Sequence, residues 1–257
     1  MNLRHVAACL GADQPFYGLE HRGVDGLREP HASVEEMAVE LVDHILRVQP
    51  VGPYFVGGFS GGGIVAFEIA QGLRARGHEV GALVLLEAVN PTLSEWTLGG
   101  RLGFHVAKIR EGGVRYAVRA FGAGLRRRRE RARLDAASRA TGDLRFELRN
   151  ERVTAAWARM ERRYLPRPYP GGAVLLRSET RDAGVLDPWN GWRDVVLGEL
   201  EVVPVPGGHV SFVDEEHAPV TAGKLAAVLA SARSRYAARR GLPGPTAEDP
   251  TTHLAAE

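Results

Sequence analysis

Short apolar runs alternate with amphipathic stretches along this chain, and the alternation predicts strands separated by helices. Nearly unbroken apolar runs are typical of strands buried on both faces of a parallel sheet. Such runs lie at 53–57, 82–86, 173–178 and 200–205. The segment 63–77 mixes branched aliphatic residues with alanines and stops at Gly77, which predicts a helix. Strand, helix and strand in this order form a crossover unit, so we expect an α/β, doubly wound and mostly parallel sheet.

Further elements flank this unit. Near the amino terminus, residues 2–12 favour a short helix and residues 14–19 a strand. Ser33 and Glu36 form a capping box at the start of a helix that should run to about Gln49. A last helix is expected from about Pro219 to Arg235. Together these elements predict helices before and after the sheet strands.

The alternation of apolar runs and amphipathic stretches stops between residues 92 and 165, where no convincing strand appears. Helical patterns are present instead, at 96–110, 114–133 and 150–164. A helical block that interrupts an α/β sheet predicts a lid over one face. Residues 241–257 contain several prolines and few large apolar side chains, so we expect a disordered tail. The chain is therefore predicted to be one domain over 1–240, with a lid at about 92–165.

Composition narrows the function classes. The chain has 257 residues, a formal net charge of +2 and a single cysteine, Cys9. Near-neutral charge gives no bulk attraction to nucleic acid, and one cysteine cannot form an internal disulfide. No signal peptide or membrane-length apolar run is visible. We expect a cytoplasmic monomer with no membrane or nucleic-acid partner, no metal and no bound cofactor.

The stretch Gly58-Phe-Ser60-Gly-Gly62 has the Gly-x-Ser-x-Gly pattern of a nucleophile elbow. Its position between a predicted strand and a predicted helix is the context that this motif requires. Ser60 would then project its hydroxyl above the edge of the sheet, and the glycines would leave room for the sharp turn. A glycine-rich turn without chemistry is the alternative. A phosphate-binding loop is disfavoured because the glycine spacing does not fit one.

A serine nucleophile needs a base, which is usually a histidine oriented by a carboxylate. His209 follows a late strand and two glycines, so it is the favoured base, with His217 a distant second. Two positions compete for the acid. Glu87 ends the strand after the elbow helix, whereas Asp182 and Asp187 lie in the loop after strand 173–178. Spacing and composition do not choose between them.

The densest charge run is Arg126–Arg129 in the predicted lid. A solvated helix face is the favoured interpretation of such a run, and a docking patch for an acidic partner is the alternative.

Several stretches make the chain resemble the thioesterase domains that terminate nonribosomal peptide and polyketide synthases, and their stand-alone relatives. The most specific are the Gln-Pro-Val-Gly-Pro-Tyr lead into the elbow and the Val-Ala-Phe-Glu start of the following helix. Gln14-Pro-Phe-Tyr-Gly-Leu, Asn190-Gly-Trp and Val205-Pro-Gly-Gly-His also match. The resemblance extends from residue 14 to about 213, and the lid is its least recognisable part.

The resemblance implies an α/β-hydrolase fold with a helical lid. It also implies transfer of an acyl or peptidyl chain from the phosphopantetheine thioester of a carrier protein onto serine, then release by hydrolysis or cyclisation. By this match Ser60 is the nucleophile, His209 the base and Glu87 the acid, where the family usually has aspartate. Gly61 would supply one oxyanion N–H.

A second departure lies at the amino terminus. The family has an apolar strand and a His/Gly-rich oxyanion loop before the segment that matches residues 2–19, and we expect both to be missing here. One lost oxyanion donor typically costs about 10²–10³ in rate. Two alternatives to an active thioesterase therefore stay open: a weak or inactive fragment that binds carrier protein, and another α/β-hydrolase acting on esters.

Overall fold

The computed structural model describes residues 3–93, 146–180, 187–209 and 211–242. Its helices are α1 (Arg4–Leu10), α2 (Val34–Val48), α3 (Gly61–Ala75), α4 (Phe146–Arg163) and α5 (Ala218–Arg240), with a 3₁₀ turn at Ser211–Val213. Its strands are β1 (Tyr54–Phe59), β2 (Val80–Leu86), β3 (Ala173–Ser178) and β4 (Leu200–Val205).

The four strands form one parallel sheet in the order β1-β2-β3-β4. Their register pairs Phe59 with Leu86, and Leu86 with Leu176. The carboxyl ends of the strands therefore meet along one edge, which is where ligand sites of open α/β sheets form. Within the described residues β1 pairs only with β2.

Helices cover both faces of the sheet, as the buried side chains show. Successive strand residues point to opposite faces, so Leu83 and Leu85 join one core while Val84 and Leu86 join the other. The first core includes residues of α2, α3 and α4, and the second includes residues of α5 together with Val6 of α1. The predicted doubly wound α/β architecture is confirmed.

The start of α2 shows how local sequence sets an element boundary. The Ser33 hydroxyl accepts a hydrogen bond from the Glu36 N–H at 3.1 Å, and the Glu36 carboxylate accepts one from the Ala32 N–H at 2.8 Å. The return bond reaches the residue before the cap, but both bonds satisfy donors at the helix entrance. The predicted capping box therefore opens α2.

One predicted element is wrong. Residues 14–19, predicted as a strand, form no strand, and Tyr17 is 71% exposed. An apolar and aromatic run of this length becomes a strand only when a neighbouring strand satisfies its backbone, and the described residues provide none here. The first helix is shorter than expected, and the last one continues to Arg240 before Gly241 caps it.

The predicted lid is described only in part. Its third helix, expected at 150–164, is present as α4. The other two lid helices, Arg126–Arg129 and residues 243–257 lie outside the described residues. The domain and lid boundaries stay predictions. None of the described helices is long and apolar enough to cross a bilayer.

Candidate active site

Ser60 lies at the junction between β1 and α3, as the motif predicted. Its N–H donates to the Leu86 carbonyl at 2.8 Å, which continues the sheet pairing, and α3 begins at the next residue. The backbone of Ser60 has φ 52° and ψ −123°. A positive φ is a strained conformation for a side-chain-bearing residue, and such strain is concentrated at functional sites. The sharp turn places the half-buried serine at the carboxyl edge of the sheet.

The two glycines that the turn requires are Gly58 and Gly63, and only Gly58 belongs to the Gly-x-Ser-x-Gly motif. A Cβ on Gly58 would lie 2.0 Å from the Gly62 carbonyl oxygen, so no side chain fits there. A Cβ on Gly62 would meet nothing within 4 Å, so the expectation of a crowded site is wrong at that position. The crowding falls on Gly63 instead, where a Cβ would lie 2.3 Å from the Ala88 Cβ.

Gly61 is covered by an aromatic ring from α4. A Cβ on Gly61 would lie 2.5 Å from Cζ2 of Trp157, so the indole packs directly on the residue after Ser60. Gly61 is also the first residue of α3, and N–H groups in the first turn of a helix have no acceptor within the helix. The role of this N–H as an oxyanion donor stays a prediction.

Helix α4 is fixed to α3 by a buried carboxylate. The Tyr164 hydroxyl donates to Glu68 at 2.7 Å, and Arg167 donates to its other oxygen at 2.7 Å. Burial raises the pKa of Tyr164, and the negative charge of Glu68 raises it further, so the phenol stays protonated as the donor. These bonds hold the carboxyl end of α4, which supports the position of Trp157 about two turns earlier.

Glu87 follows β2 at the same edge of the sheet as Ser60. Its backbone φ is 48°, a second strained position. Its carboxylate accepts from the Ser178 hydroxyl at 2.8 Å and from the Ser178 N–H. Ser178 is the last residue of β3, so Glu87 is attached to the end of the neighbouring strand.

His209 follows β4 and packs against Phe59, the residue before Ser60. The centroid of its ring is 5.2 Å from that of Phe59, with the planes tilted by 31°. No hydrogen bond among the described residues joins His209 to Ser60 or to Glu87. The structure therefore brings the three residues to one edge of the sheet without assembling a hydrogen-bonded triad.

His217, the second candidate base, has a different setting. Its Nδ1 is 3.0 Å from the Asp214 carboxylate, and hydrogen bonds from His217 lower the pKa of Asp214. A Cβ on Gly207 would lie 3.1 Å from the His217 ring, so this imidazole packs against the loop that leads to His209. His217 is thus placed to support that loop.

Asp187 closes a turn in its own loop. Its carboxylate accepts from the Gly191 N–H, and its carbonyl accepts from the Asn190 N–H at 3.2 Å. The turn then reaches the Glu87 loop, because the Asn190 amide and the Trp192 indole N–H both donate to the Ala88 carbonyl, at 3.1 and 3.0 Å. Asp182 lies outside the described residues.

Two contacts at this site escaped sequence reasoning. Ser178 gave no motif, although its place at the end of β3, beside the end of β2, could have suggested a partner for Glu87. Trp157 lies in the sequence at helical spacing with the apolar residues Val153, Met160 and Tyr164, a pattern that indicates a core-facing helix and nothing more specific. The described residues contain no group of three or more metal-binding side chains.

Comparisons with known proteins agree with this architecture. Residues 4–229 match the family described as Thioesterase domain. Malpinin synthetase of Mortierella alpina is 28% identical over 230 residues, which are 86% of this chain and 3% of that protein. The nonribosomal peptide synthetase btyA of Aspergillus terreus is 29% identical over 237 residues, 82% of this chain and 25% of that protein. The chain thus spans a quarter or less of these relatives.

Solved structures give the same fold. The NocB thioesterase domain from the nocardicin cluster is 27% identical, with a TM-score of 0.54 over 82% of this chain and 80% of that one. The RedJ thioesterase of Streptomyces coelicolor is 20% identical, with a TM-score of 0.57 over 88% and 79% of the two chains, which shows a shared fold alone. The family match, which covers most of the chain, shows that this protein belongs to the thioesterase-domain family, and its fold is that of the α/β-hydrolases.

Proposed function

We propose that this chain is a serine thioesterase that releases an acyl or peptidyl chain from the phosphopantetheine thioester of a carrier protein. The observation that carries the proposal is Ser60, held with positive φ at a strand-to-helix turn in a chain of the thioesterase family. Ser60 is the nucleophile, His209 the base and Glu87 the acid that orients the base. The Gly61 N–H stabilises the oxyanion.

The reaction proceeds in two halves. His209 takes the proton of the Ser60 hydroxyl as the Ser60 oxygen attacks the thioester carbonyl. The tetrahedral intermediate collapses, the carbon–sulfur bond breaks, and the departing pantetheine thiolate receives the proton from His209. Water, or a nucleophile within the acyl chain, then attacks the acyl-serine, gives its proton to His209 and releases an acid or a ring. Ser60 recovers its proton from His209.

The relatives support a carrier protein as the partner. Malpinin synthetase and btyA are named as synthetases, and the matching segments are 3% and 25% of their lengths. A release domain of such an assembly meets its substrate as a thioester on a carrier. The choice between hydrolysis and cyclisation depends on which nucleophile reaches the acyl-serine.

The proposal is tested by labelling and turnover. A serine-reactive fluorophosphonate should add one mass adduct that maps to Ser60, and a pantetheine thioester should be turned over. Ser60→Ala should abolish the adduct and lower turnover by at least about 10³-fold. Ser231→Ala, at an exposed position of α5, is the matched control and should behave as the wild type. Equal thioester turnover by Ser60→Ala would contradict the proposal.

One observation favours a second candidate, a carrier-binding module with little turnover. Glu87 is bonded to Ser178, and no hydrogen bond within the described residues links it to His209. In this arrangement no carboxylate orients His209 as a base for Ser60. Carrier binding by a folded chain that forms no adduct and no acyl-enzyme would establish this candidate. A single adduct at Ser60 together with thioester turnover would exclude it.

A further inference from the structure

Helix α3 begins with three consecutive glycines, and few local interactions stabilise its first turn. Gly61, Gly62 and Gly63 follow Ser60 directly, and glycine is the least favourable helix residue after proline. Among the described residues the Ser60 side chain makes no capping hydrogen bond, and the first turn contains no acidic side chain that would favour its free N–H groups. Contacts from other elements must therefore keep this turn in place.

Two neighbouring elements pack on the glycine turn, at its first and third residues. A Cβ on Gly61 would lie 2.5, 2.8 and 3.1 Å from Cζ2, Cε2 and Nε1 of Trp157, so one edge of the indole covers Gly61. A Cβ on Gly63 would clash with the Cβ of Ala88, in the loop after β2. A Cβ on Gly62 would meet none of the described residues within 4 Å. The first residue of the turn thus depends on α4 for its packing.

A second contact fixes α4 relative to α3. Glu68 of α3 is only 5% exposed and accepts hydrogen bonds from the Tyr164 hydroxyl and from Arg167, both at 2.7 Å. Glu68 lies seven positions after Gly61 in the chain. Tyr164 likewise lies seven positions after Trp157, so the two contacts are about two helical turns apart on both elements. The buried polar contact therefore sets the register that places the indole over Gly61.

We propose that Trp157 is a positioning residue for the thioesterase reaction: by packing on Gly61 it keeps the first turn of α3 in the conformation that directs the Gly61 N–H toward the oxyanion. The proposal rests on the function proposed above and adds the residue that orders its oxyanion donor. Such donors stabilise a transition state best when they are oriented beforehand, because no reorganisation is then needed during the reaction. Trp157 acts through Gly61 and needs no contact with the acyl chain.

The first experiment removes the ring and separates kcat from KM. The substrate is the acetyl thioester of pantetheine, whose acyl group is too short to depend on apolar contacts with α4. Trp157→Ala should lower kcat by about tenfold and leave KM within about twofold, since complete loss of an oxyanion donor costs about 10²–10³-fold and a disordered donor still acts part of the time. Trp157→Phe keeps a ring over Gly61 and should restore most of kcat. Arg159→Ala, at an exposed position of α4, is the matched control and should behave as the wild type.

The second experiment tests whether Trp157 acts through Gly61. Gly61 does not have a positive φ, and the three atoms nearest to its added Cβ all belong to Trp157, so the indole is the main obstacle to alanine. In the wild-type background Gly61→Ala should displace the ring and lower kcat by about fivefold. In the Trp157→Ala background the same change meets no ring, and the better helix propensity of alanine should raise kcat by about twofold. Opposite signs in the two backgrounds identify a direct coupling between the two residues.

The outcomes separate this role from the proposed function. A folded Trp157→Ala chain with the wild-type kcat would overturn the role of Trp157, and so would an equal loss from Gly61→Ala in both backgrounds. Either result leaves the thioesterase function standing, because wild-type turnover and the fluorophosphonate adduct at Ser60 are measured in the same series. If the wild type forms no adduct and turns over no thioester, the proposed function fails and the role of Trp157 fails with it. Should Trp157→Ala not fold, Trp157→Leu keeps apolar bulk without the flat ring and must give the same fall in kcat.

Discussion

The loops that follow β2 and β3 each carry a carboxylate that could orient a catalytic histidine, and the two carboxylates make different contacts. Glu87, after β2, reaches sideways to the hydroxyl and N–H of Ser178 at the end of the neighbouring strand. Asp187, after β3, turns back to the Gly191 N–H within its own loop. One carboxylate remains at the edge of the sheet beside Ser60, while the other closes a turn.

Hydrogen bonds between the two loops run in both directions. Asn190 and Trp192 of the second loop donate to the Ala88 carbonyl of the first, and the Asn90 amide donates back to the Gly191 carbonyl at 2.8 Å. Trp192 is fully buried. The second loop therefore acts as a brace for the residue that follows Glu87. The comparison teaches that chain position alone assigns neither carboxylate, whereas their hydrogen-bond partners separate a catalytic candidate from a structural one.

The largest effect should come from neutralising Glu87. Glu87→Gln keeps the shape and the Ser178 contacts but removes the charge that would stabilise a protonated His209, so kcat/KM for a pantetheine thioester should fall by about 10²–10⁴-fold. Asp187→Asn should change it by only a few-fold. Steady-state kinetics on both variants, with circular dichroism to confirm folding, measures the difference. The reverse ranking would move the acid to the loop after β3.

Much of this architecture could be predicted because it depends on local pattern. The buried strands show as apolar runs, the capping box identified the start of α2, and the serine motif marked the β1–α3 junction. Residues 14–19 misled because an apolar run does not reveal whether a neighbouring strand exists to pair with it.

The candidate site could be predicted only as a set of residues. The strand ends indicated Ser60, Glu87 and His209. The contacts of Glu87 with Ser178, however, depend on the register between β2 and β3, and these two residues lie 91 positions apart in the chain. The same holds for Trp157, whose contact with Gly61 is set by the packing of α4. Such long-range contacts leave no local pattern in the sequence.

A smaller effect should follow from removing the Ser178 hydroxyl. Ser178→Ala deletes one of the two groups that hold Glu87 but keeps the backbone N–H, and a hydrogen bond to a charged group contributes about 1.5–3 kcal/mol, so kcat should fall by about tenfold with little change in KM. Ser178→Thr retains a hydroxyl and should restore most of the loss. A pH–rate profile shows whether the base is affected.

Ser178→Ala also distinguishes two roles for this contact. An ionised carboxylate accepts several hydrogen bonds, so Glu87 can keep Ser178 and still accept one from His209. On that basis Ser178 positions the acid, and its loss is harmful. A gain in kcat would instead mean that Ser178 competes with His209 for Glu87, and the site would then resemble the weakly active module.

The smallest effect should appear in the free energy of unfolding. Here a change at Asp187 should matter more than a change at Glu87, the reverse of their ranking in activity. Asp187→Ala leaves the Gly191 N–H without its acceptor, which should cost about 1 kcal/mol in the free energy of unfolding. In a chain of this size that corresponds to a fall in Tm of about 2–4 °C. Asp187→Asn keeps an acceptor oxygen and Glu87→Gln keeps one for Ser178, so both should unfold close to the wild-type temperature. Thermal unfolding followed by circular dichroism makes the measurement. If Glu87→Gln lowered Tm as much as Asp187→Ala, Glu87 would be a structural residue too, and its loss of activity would no longer identify it as the acid.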